Sequence, residues 1–399
     1  MSPIICCMLY LDNNATTRPA DSVVEIMARA LTELWQNPSS VHRPGQRVRQ
    51  QVELAREQVA QLIGARDREI IFTAGGTEAA NLAILGTTAA LPDRRVVVSS
   101  KLEHSAVRET VETLGEEGRE IIWLPSGAGG VVDLNALRDV LQQRAAEIAI
   151  VSIMWVNNET GIIQPVEEIV ALCREHGVRF HTDAVQWVGK AGTSVRDLPI
   201  DLLSFSAHKF HGPKGVGGLY VRRGVRLNKR AIGGPQERER RGGTENVPGI
   251  LGMGEAARLA MEWLRDEQRA AQQAALRDQF ERAILAAVPE ASVNSVEAPR
   301  MWNTSNIAFP RLEAEAILLL LSERGVCASA GAACSSGSLE PSPVLLAMKV
   351  PEERAHGSVR FSLSRETTGE EIDQAVELIP AAIERLRGSM AAVGETHRD

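Results

Sequence analysis

Apolar residues along the first half of the chain keep two alternating rhythms. Val48, Val52, Ala55, Val59 and Leu62 recur at steps of three and four, which predicts an amphipathic helix over 46–63, with Gly64 as its C-terminal stop. Between such stretches lie short apolar runs of strand length: Ile70–Thr73, Val96–Ser99, Ile148–Val156, Val178–Thr182 and Leu202–Ser206. Helical patterns at Ala79–Leu85 and Val166–His176 separate them. A further helix follows Asp133, whose carboxylate suits an N-cap ahead of Leu134, Leu137 and Leu141. Strands that lack polar alternation and take turns with helices imply an α/β fold, a mostly parallel sheet covered by helices on both faces.

After residue 250 the rhythm changes. Residues 252–287 read as one long helix or two, rich in Ala, Arg and Glu. A strand near Thr304–Phe309, a helix at Glu313–Arg324, a strand at Val359–Leu363 and a helix from Glu370 follow. This mixture predicts a second, smaller α+β domain. The expected division is a large domain over 20–255 and a small one made of 1–19 and 256–399.

The 399 residues suffice for two or three packed units at roughly 150 residues each. With 44% hydrophobic and 24% charged residues, a core of ordinary size forms without disulfide or metal staples. A net charge of -7 gives no global attraction to nucleic acid or to an anionic membrane. The five cysteines (Cys6, Cys7, Cys173, Cys327 and Cys334) are scattered, with no disulfide framework and no zinc spacing. The apolar N-terminal stretch is too short and too uncharged for a signal peptide. A reducing cytoplasm is therefore expected, where a thiol stays available for chemistry.

In open parallel sheets, ligands bind beyond the carboxyl ends of the strands. Five predicted strands are followed there by AGGTEAAN, SKLEHSA, NNETG, DAVQ and AHKFHGPKG. Gly76 and Thr77 open a helix whose small residues let backbone N–H groups approach an anion; a plain strand-to-helix turn explains the same string. Asp183 ends an apolar strand, where a carboxylate needs a charged or hydrogen-bonded partner; it suits a protonated ring nitrogen or a helix cap. Lys209, with Lys214 as rival, ends another strand, where loss of solvent frees an amine to condense with an aldehyde cofactor. His104 is either a satisfied loop residue or a proton carrier lying on that cofactor.

Cys334 lies in ASAGAACSSGSLEPS, where small residues offer nothing to bury, so a mobile, exposed loop with a reactive thiol is expected. Cys173 and Cys327 read as buried structural residues, and Cys6 and Cys7 as strand or tail residues. Alternation in VRFSLSR puts Val359, Phe361 and Leu363 on one face and Arg360 with Ser362 on the other. Arg360 suits a clamp on a substrate carboxylate or a structural ion pair, with Arg365 as rival. The run Arg238, Arg240 and Arg241 reads as a solvated face or a subunit-contact loop.

Together the strings YLDNNATT, NPSSVH, GGTEAAN, LEHSAV, NNETG, HTDAVQ, SAHKFHGPKGVG, RGGTEN, GAACSSGSLEPS and VRFSLSR resemble, in order and spacing, the cysteine desulfurases. These belong to the aminotransferase-like enzymes of fold type I that use pyridoxal 5'-phosphate (PLP). The resemblance covers nearly the whole chain. It implies that Lys209 binds PLP, Asp183 pairs with the pyridine nitrogen, Gln186 bonds the ring hydroxyl and His104 stacks on the ring. Gly76, Thr77, Ser206 and His208 would hold the phosphate, with Thr244 reaching in from the second subunit of a homodimer. Asn158 and Arg360 would bind the carboxylate of L-cysteine, and Cys334 would carry the sulfur as a persulfide.

The loop around Cys334 resembles the branch that serves iron–sulfur cluster assembly, including nitrogenase supply. The sulfur would then pass to a protein acceptor such as an iron–sulfur scaffold. Pro343 stands where the family usually has His, GAAC replaces the commoner GSAC, and the C-terminal GETHRD differs from the tail with which the housekeeping form grips its scaffold. A selenocysteine lyase or an aminotransferase on the same fold is the competing reading.

Overall fold

The computed structural model describes residues 8–127, 129–330 and 341–396, with side chains as far as Ser389 in the last helix. Its centre is a seven-stranded sheet made of β2 (Ile70–Thr73), β3 (Val96–Ser100), β4 (Glu120–Leu124), β5 (Ile148–Ser152), β6 (Phe180–Asp183), β7 (Leu202–Ser206) and β8 (Gly217–Val221). The spatial order is β2-β8-β7-β6-β5-β3-β4, and only β8 among these runs antiparallel to its neighbours. The strands alternate their apolar residues between two cores. Ile70, Phe72, Val96 and Val98 face α1 (Asp21–Glu33), α2 (Arg43–Leu62), α5 (Leu134–Arg144), α6 (Val166–Glu175) and α8 (Val247–Leu264). Ile71, Val97, Ile150 and Leu219 face α3 (Gly76–Ala90) and α4 (Ser105–Glu116). Burial on both faces explains why these strands carry no polar alternation.

Two local expectations need correction. The run Ile148–Val156 is not one strand. The ladder stops at Ser152, and Ile153–Val156 continue as a buried apolar loop whose Trp155 N–H donates to Asp183 O at 2.9 Å. Strand β8 is hidden in GGLYV, because its glycines carry no apolar signal. Close approach requires them: a Cβ on Gly217 would lie 2.6 Å from the Gly75 backbone, and one on Gly218 would lie 2.5 Å from the Phe205 ring. Asp133 does cap α5, accepting from the N–H groups of Asn135 and Ala136.

The remaining elements build a second core. Strands β9 (Ser292–Val293), β10 (Thr304–Ala308) and β12 (Ser358–Ser362) form an antiparallel sheet in the order β12-β10-β9. Strand β1 (Leu9–Tyr10) pairs parallel with β11 (Val326–Cys327), which stitches the N-terminal segment to this part of the chain. Helices α9 (Glu267–Ala287), α10 (Ala314–Glu323) and α13 (Gly369–Thr396) cover it, burying Phe280, Ile284, Ile317, Ile372 and Ile379 together. Two short helices, α11 (Pro343–Ala347) and α12 (Glu352–His356), lead into β12, and α7 (Gln236–Glu239) is a single turn before α8. Helix α8 buries Ala256, Ala257, Ala260 and Trp263 in the first core, whereas α9 contributes Phe280 to the second. We therefore propose the domain boundary at the junction of α8 and α9 in place of residue 255.

Candidate active site

A cavity of about 370 Å³ opens at the carboxyl ends of the central strands. It is lined by Gly76, Thr77, His104, Asn158, Asp183, Gln186, Ser206, His208, Lys209 and Arg360, all of which were expected from the sequence. Residues that are distant along the chain meet here because a parallel sheet brings all its strand-to-helix turns to one edge.

Asp183 is the last residue of β6, 7% exposed, and its Oδ1 accepts the N–H of Val185 at 2.9 Å. Burial raises its pKa to about 6, against the lowering effects of that N–H and of Lys209. A buried carboxylate in this state favours a cationic partner. Lys209 sits at the end of the 3₁₀ turn Ala207–Lys209 directly after β7, and its Nζ donates to Asn14 O at 2.6 Å and Ala15 O at 2.9 Å.

His104 is the N-cap of α4. Its Nδ1 accepts the Ala106 N–H at 3.1 Å, which places any ring proton of the neutral form on Nε2. Burial first, then the charges of Lys209, Arg108 and Arg360, lower its pKa to about 4. It is thus a neutral imidazole over the ordinary working range. His208 is likewise lowered to about 4 by burial and then by Lys209, Lys214 and Lys190.

Gly76 and Thr77 form the first turn of the fifteen-residue helix α3, whose N–H groups point towards the cavity edge. A Cβ on Gly76 would meet Val185 Cγ2 at 2.8 Å, so the glycine keeps the turn against the Asp183 loop. Among the described residues, Asn158 Oδ1 is buried without a hydrogen-bond partner, which leaves its amide with capacity for a ligand. This donor set, an amine and a carboxylate across one cavity beside a helix N-terminus, fits a phosphorylated aldehyde with a basic ring nitrogen.

Arg360 forms the structural ion pair and also faces the cavity. Its Nη2 pairs with Asp12 Oδ1 at 2.7 Å, its Nη1 donates to Asn158 O at 3.0 Å, and the side chain still lines the cavity. The rival Arg365 does not line the cavity, and neither does Lys214. Thr244 lies in a separate cleft with Thr73, Glu237, Arg241 and Gly243, so it does not join its own chain's cavity. The arginine run is less solvated than a charged surface string suggests: Arg241 pairs with Glu78 at 2.8 Å, and Arg240 donates to Arg68 O at 2.9 Å. Cys173 is buried as expected, but Cys327 is only half-buried. Cys334, Cys6 and Cys7 lie outside the described residues.

Asn14, Lys190 and Glu103 are among the residues around the cavity that the sequence reading did not single out. Asn14 binds Lys209, Gln186 and Lys190 at once. Lys190 is buried four residues after Gln186. Glu103, beside His104, is buried with its pKa well above the usual carboxyl value, through burial first and then the charge of Asp183. Asn14 and Glu103 sit inside the quoted strings YLDNNATT and LEHSAV, but their burial depends on tertiary contacts.

A lysine and a carboxylate facing one cavity at the switch edge of a seven-stranded sheet define the aminotransferase-like class of fold. The chain matches the Aminotransferase class-V family over residues 9–375. It is 47% identical over 380 residues to Cysteine desulfurase 2 of Trichormus variabilis, covering 95% of this chain and 94% of that protein. It is also 47% identical over 380 residues to Cysteine desulfurase NifS of Azotobacter vinelandii, covering 95% and 93%. A solved structure of a NifS-like protein superposes with a TM-score of 0.87 at 35% identity, covering 94% of this chain and 99% of that one. The chain belongs to the class-V aminotransferase family and, within it, to the cysteine desulfurases.

Proposed function

We propose that the chain removes sulfur from L-cysteine with PLP bound on Lys209, giving L-alanine and a persulfide on Cys334. The observation that carries this reading is the single cavity in which Lys209, Asp183 and His104 converge. When bound, PLP supplies an electron sink for the carbon attached to the substrate's nitrogen. Asp183 would hold the ring nitrogen protonated, because a buried carboxylate gains a cation there. Gln186 would donate to the ring hydroxyl, His104 would lie against the ring, and Gly76, Thr77, Ser206 and His208 would hold the phosphate, all of them lining the cavity. Thr244 of a second subunit completes the cradle, in keeping with its distance from its own cavity. Asn158 and Arg360 take the substrate carboxylate; Arg360 is already held straight by Asp12.

Freed Lys209 moves the α-proton, while His104, whose Nδ1 is held by the Ala106 N–H and whose Nε2 carries the ring proton, can only donate a proton or a hydrogen bond there. The thiolate of Cys334 attacks the substrate sulfur. The new S–S bond forms as the Cβ–S bond breaks, the electron pair stays with the carbon side, and a proton there completes alanine. The persulfide then passes to a protein acceptor, with iron–sulfur cluster assembly as the destination, in the cytoplasm. Nitrogenase supply is one such destination.

Purified enzyme given L-cysteine and a thiol reductant should yield alanine and sulfide in equal amounts. Cys334→Ala should lower sulfide release by at least about 10²-fold while leaving PLP absorbance in place, as loss of a covalent nucleophile does. Lys209→Ala should lose the absorbance near the visible edge. Full activity of the Cys334 variant would remove that thiol from its role and favour a selenocysteine lyase.

A further inference from the structure

We infer that Lys190 is a positioning residue that sets the orientation of the Gln186 and Asn14 amides and so decides which atoms face the PLP ring. This rests on the reading that PLP occupies the cavity. Lys190 is 5% exposed, and its Nζ lies 2.7 Å from Gln186 Oε1 and 3.1 Å from Asn14 Oδ1. It lines no part of the cavity itself.

The orientation follows from the hydrogen-bond inventory. A lysine nitrogen next to an amide oxygen can only donate in its charged form, so the Gln186 oxygen faces Lys190 and its NH₂ faces the other way. One hydrogen of Gln186 Nε2 goes to Asn14 O at 3.0 Å. The second is left for the cavity, where a ring oxygen that carries negative charge would accept it. With the amide turned round, its oxygen would face that oxygen and repel it.

The same amine fixes Asn14. Asn14 Oδ1 accepts from Lys190 and from Asn303 Nδ2 at 2.9 Å, so Asn14 Nδ2 turns to Thr304 Oγ1 at 2.9 Å and Asn158 O at 3.1 Å. The Asn14 carbonyl thereby stays against Lys209 Nζ. Trp302 Nε1 donates to Lys190 O at 2.9 Å and holds the backbone of this segment. Burial and two cations, Lys209 and Arg360, push the Lys190 pKa well below the usual lysine range. The neutral amine still has two N–H groups for the Gln186 and Asn14 oxygens, and Gln186 Nε2 remains fixed by the Asn14 carbonyl.

The test is a double-mutant cycle on PLP affinity, read from quenching of intrinsic fluorescence in the full-length apo protein. Lys190→Met should weaken PLP binding about five- to tenfold, the range of one or two buried hydrogen bonds. Gln186→Leu should weaken it similarly, and the double variant should be no weaker than Gln186→Leu alone. Lys190→Gln keeps a donor for Gln186 Oε1 and should stay within about twofold of wild type. Additive losses, or a Lys190→Met protein that binds PLP as tightly as wild type, would overturn the inference.

If Lys190→Met does not fold by circular dichroism, a crystal structure of PLP-loaded wild type decides. Lys190 Nζ must remain within hydrogen-bond distance of Gln186 Oε1, and a Gln186 oxygen turned to the ring overturns the inference. Wild-type protein that takes up no PLP overturns the functional reading and this inference together. Uptake with additive variants overturns this inference alone.

Discussion

Asp183 and His181 sit two residues apart on β6 and answer pH in opposite directions. Burial raises Asp183 from 3.8 to about 6, so the folded apo protein binds this proton more readily than the unfolded chain does. The stability from that protonation is present below 3.8 and is lost as pH rises through 6. A cationic ring nitrogen removes the cost. The gain in melting temperature on adding PLP should therefore be larger at pH 7.5 than at pH 5, and Asp183→Asn should flatten that difference. The same variant should lower kcat by about 10²–10³ while still binding PLP, the range for loss of one preorganised electrostatic contact. Steady-state kinetics with absorbance checks this.

His181 bridges Ser152 Oγ at 2.8 Å and Ser204 Oγ at 3.2 Å, and burial lowers its pKa from 6.5 to about 3. Its unfolded form binds the proton first, so stability falls as pH drops below 6.5. Over the 1.5 units from pH 6.5 to 5 the loss is at most about 2 kcal/mol. His181→Asn should remove this slope from thermal melts of the apo protein. A surface histidine would produce none.

Among the elements, α7 gives the clearest mechanical test. Glu237, Arg238 and Glu239 hold φ of 48°, 56° and 65°, three successive left-handed residues without a glycine. Glu237 is fixed there by Arg56 of α2 at 2.7 Å and 2.9 Å and by the Phe72 N–H of β2 at 3.0 Å. The guanidinium also lies 4.5 Å from the centre of the Phe72 ring. This latch fixes the start of the segment that carries Thr244. Arg56→Met leaves a buried carboxylate unpaired and should cost about 3–5 kcal/mol in urea unfolding. Arg56→Met with Glu237→Gln should recover part of that loss, because no bare charge is then left inside. The charge string Arg238, Arg240 and Arg241 could not announce this, since the partner Arg56 lies on a helix far earlier in the chain. Strands β2 and β7, by contrast, match their apolar runs residue for residue, because burial on both faces writes itself as continuous hydrophobicity.

For the whole molecule, the exposed apolar residues bear on assembly. Leu31, Trp35 and Val41, at and just after the end of α1, are 64%, 73% and 93% exposed. Under the homodimer reading we propose this stretch as part of the subunit contact. Under the homodimer reading, Trp35→Asp combined with Val41→Asp should shift the protein towards monomer in sedimentation velocity at micromolar concentration. It should also weaken PLP binding, because Thr244 of the partner is then missing. An unchanged dimer would place the interface elsewhere.

The sequence by itself determined the alternating α/β class of the fold and placed ten of its candidate site residues around the cavity. Most of those residues follow strand ends, which are legible from apolar runs, whereas Arg360 lies within β12. The tertiary structure decided what a one-dimensional pattern does not encode. It placed the glycine-rich β8 by steric fit against Phe205, and it ended β5 at Ser152 although burial continues to Val156. It also joined Asn14, Lys190 and Trp302 into one buried network behind Lys209. A buried polar group is stable only through partners brought from distant segments, so its role exists only once the chain has closed around it.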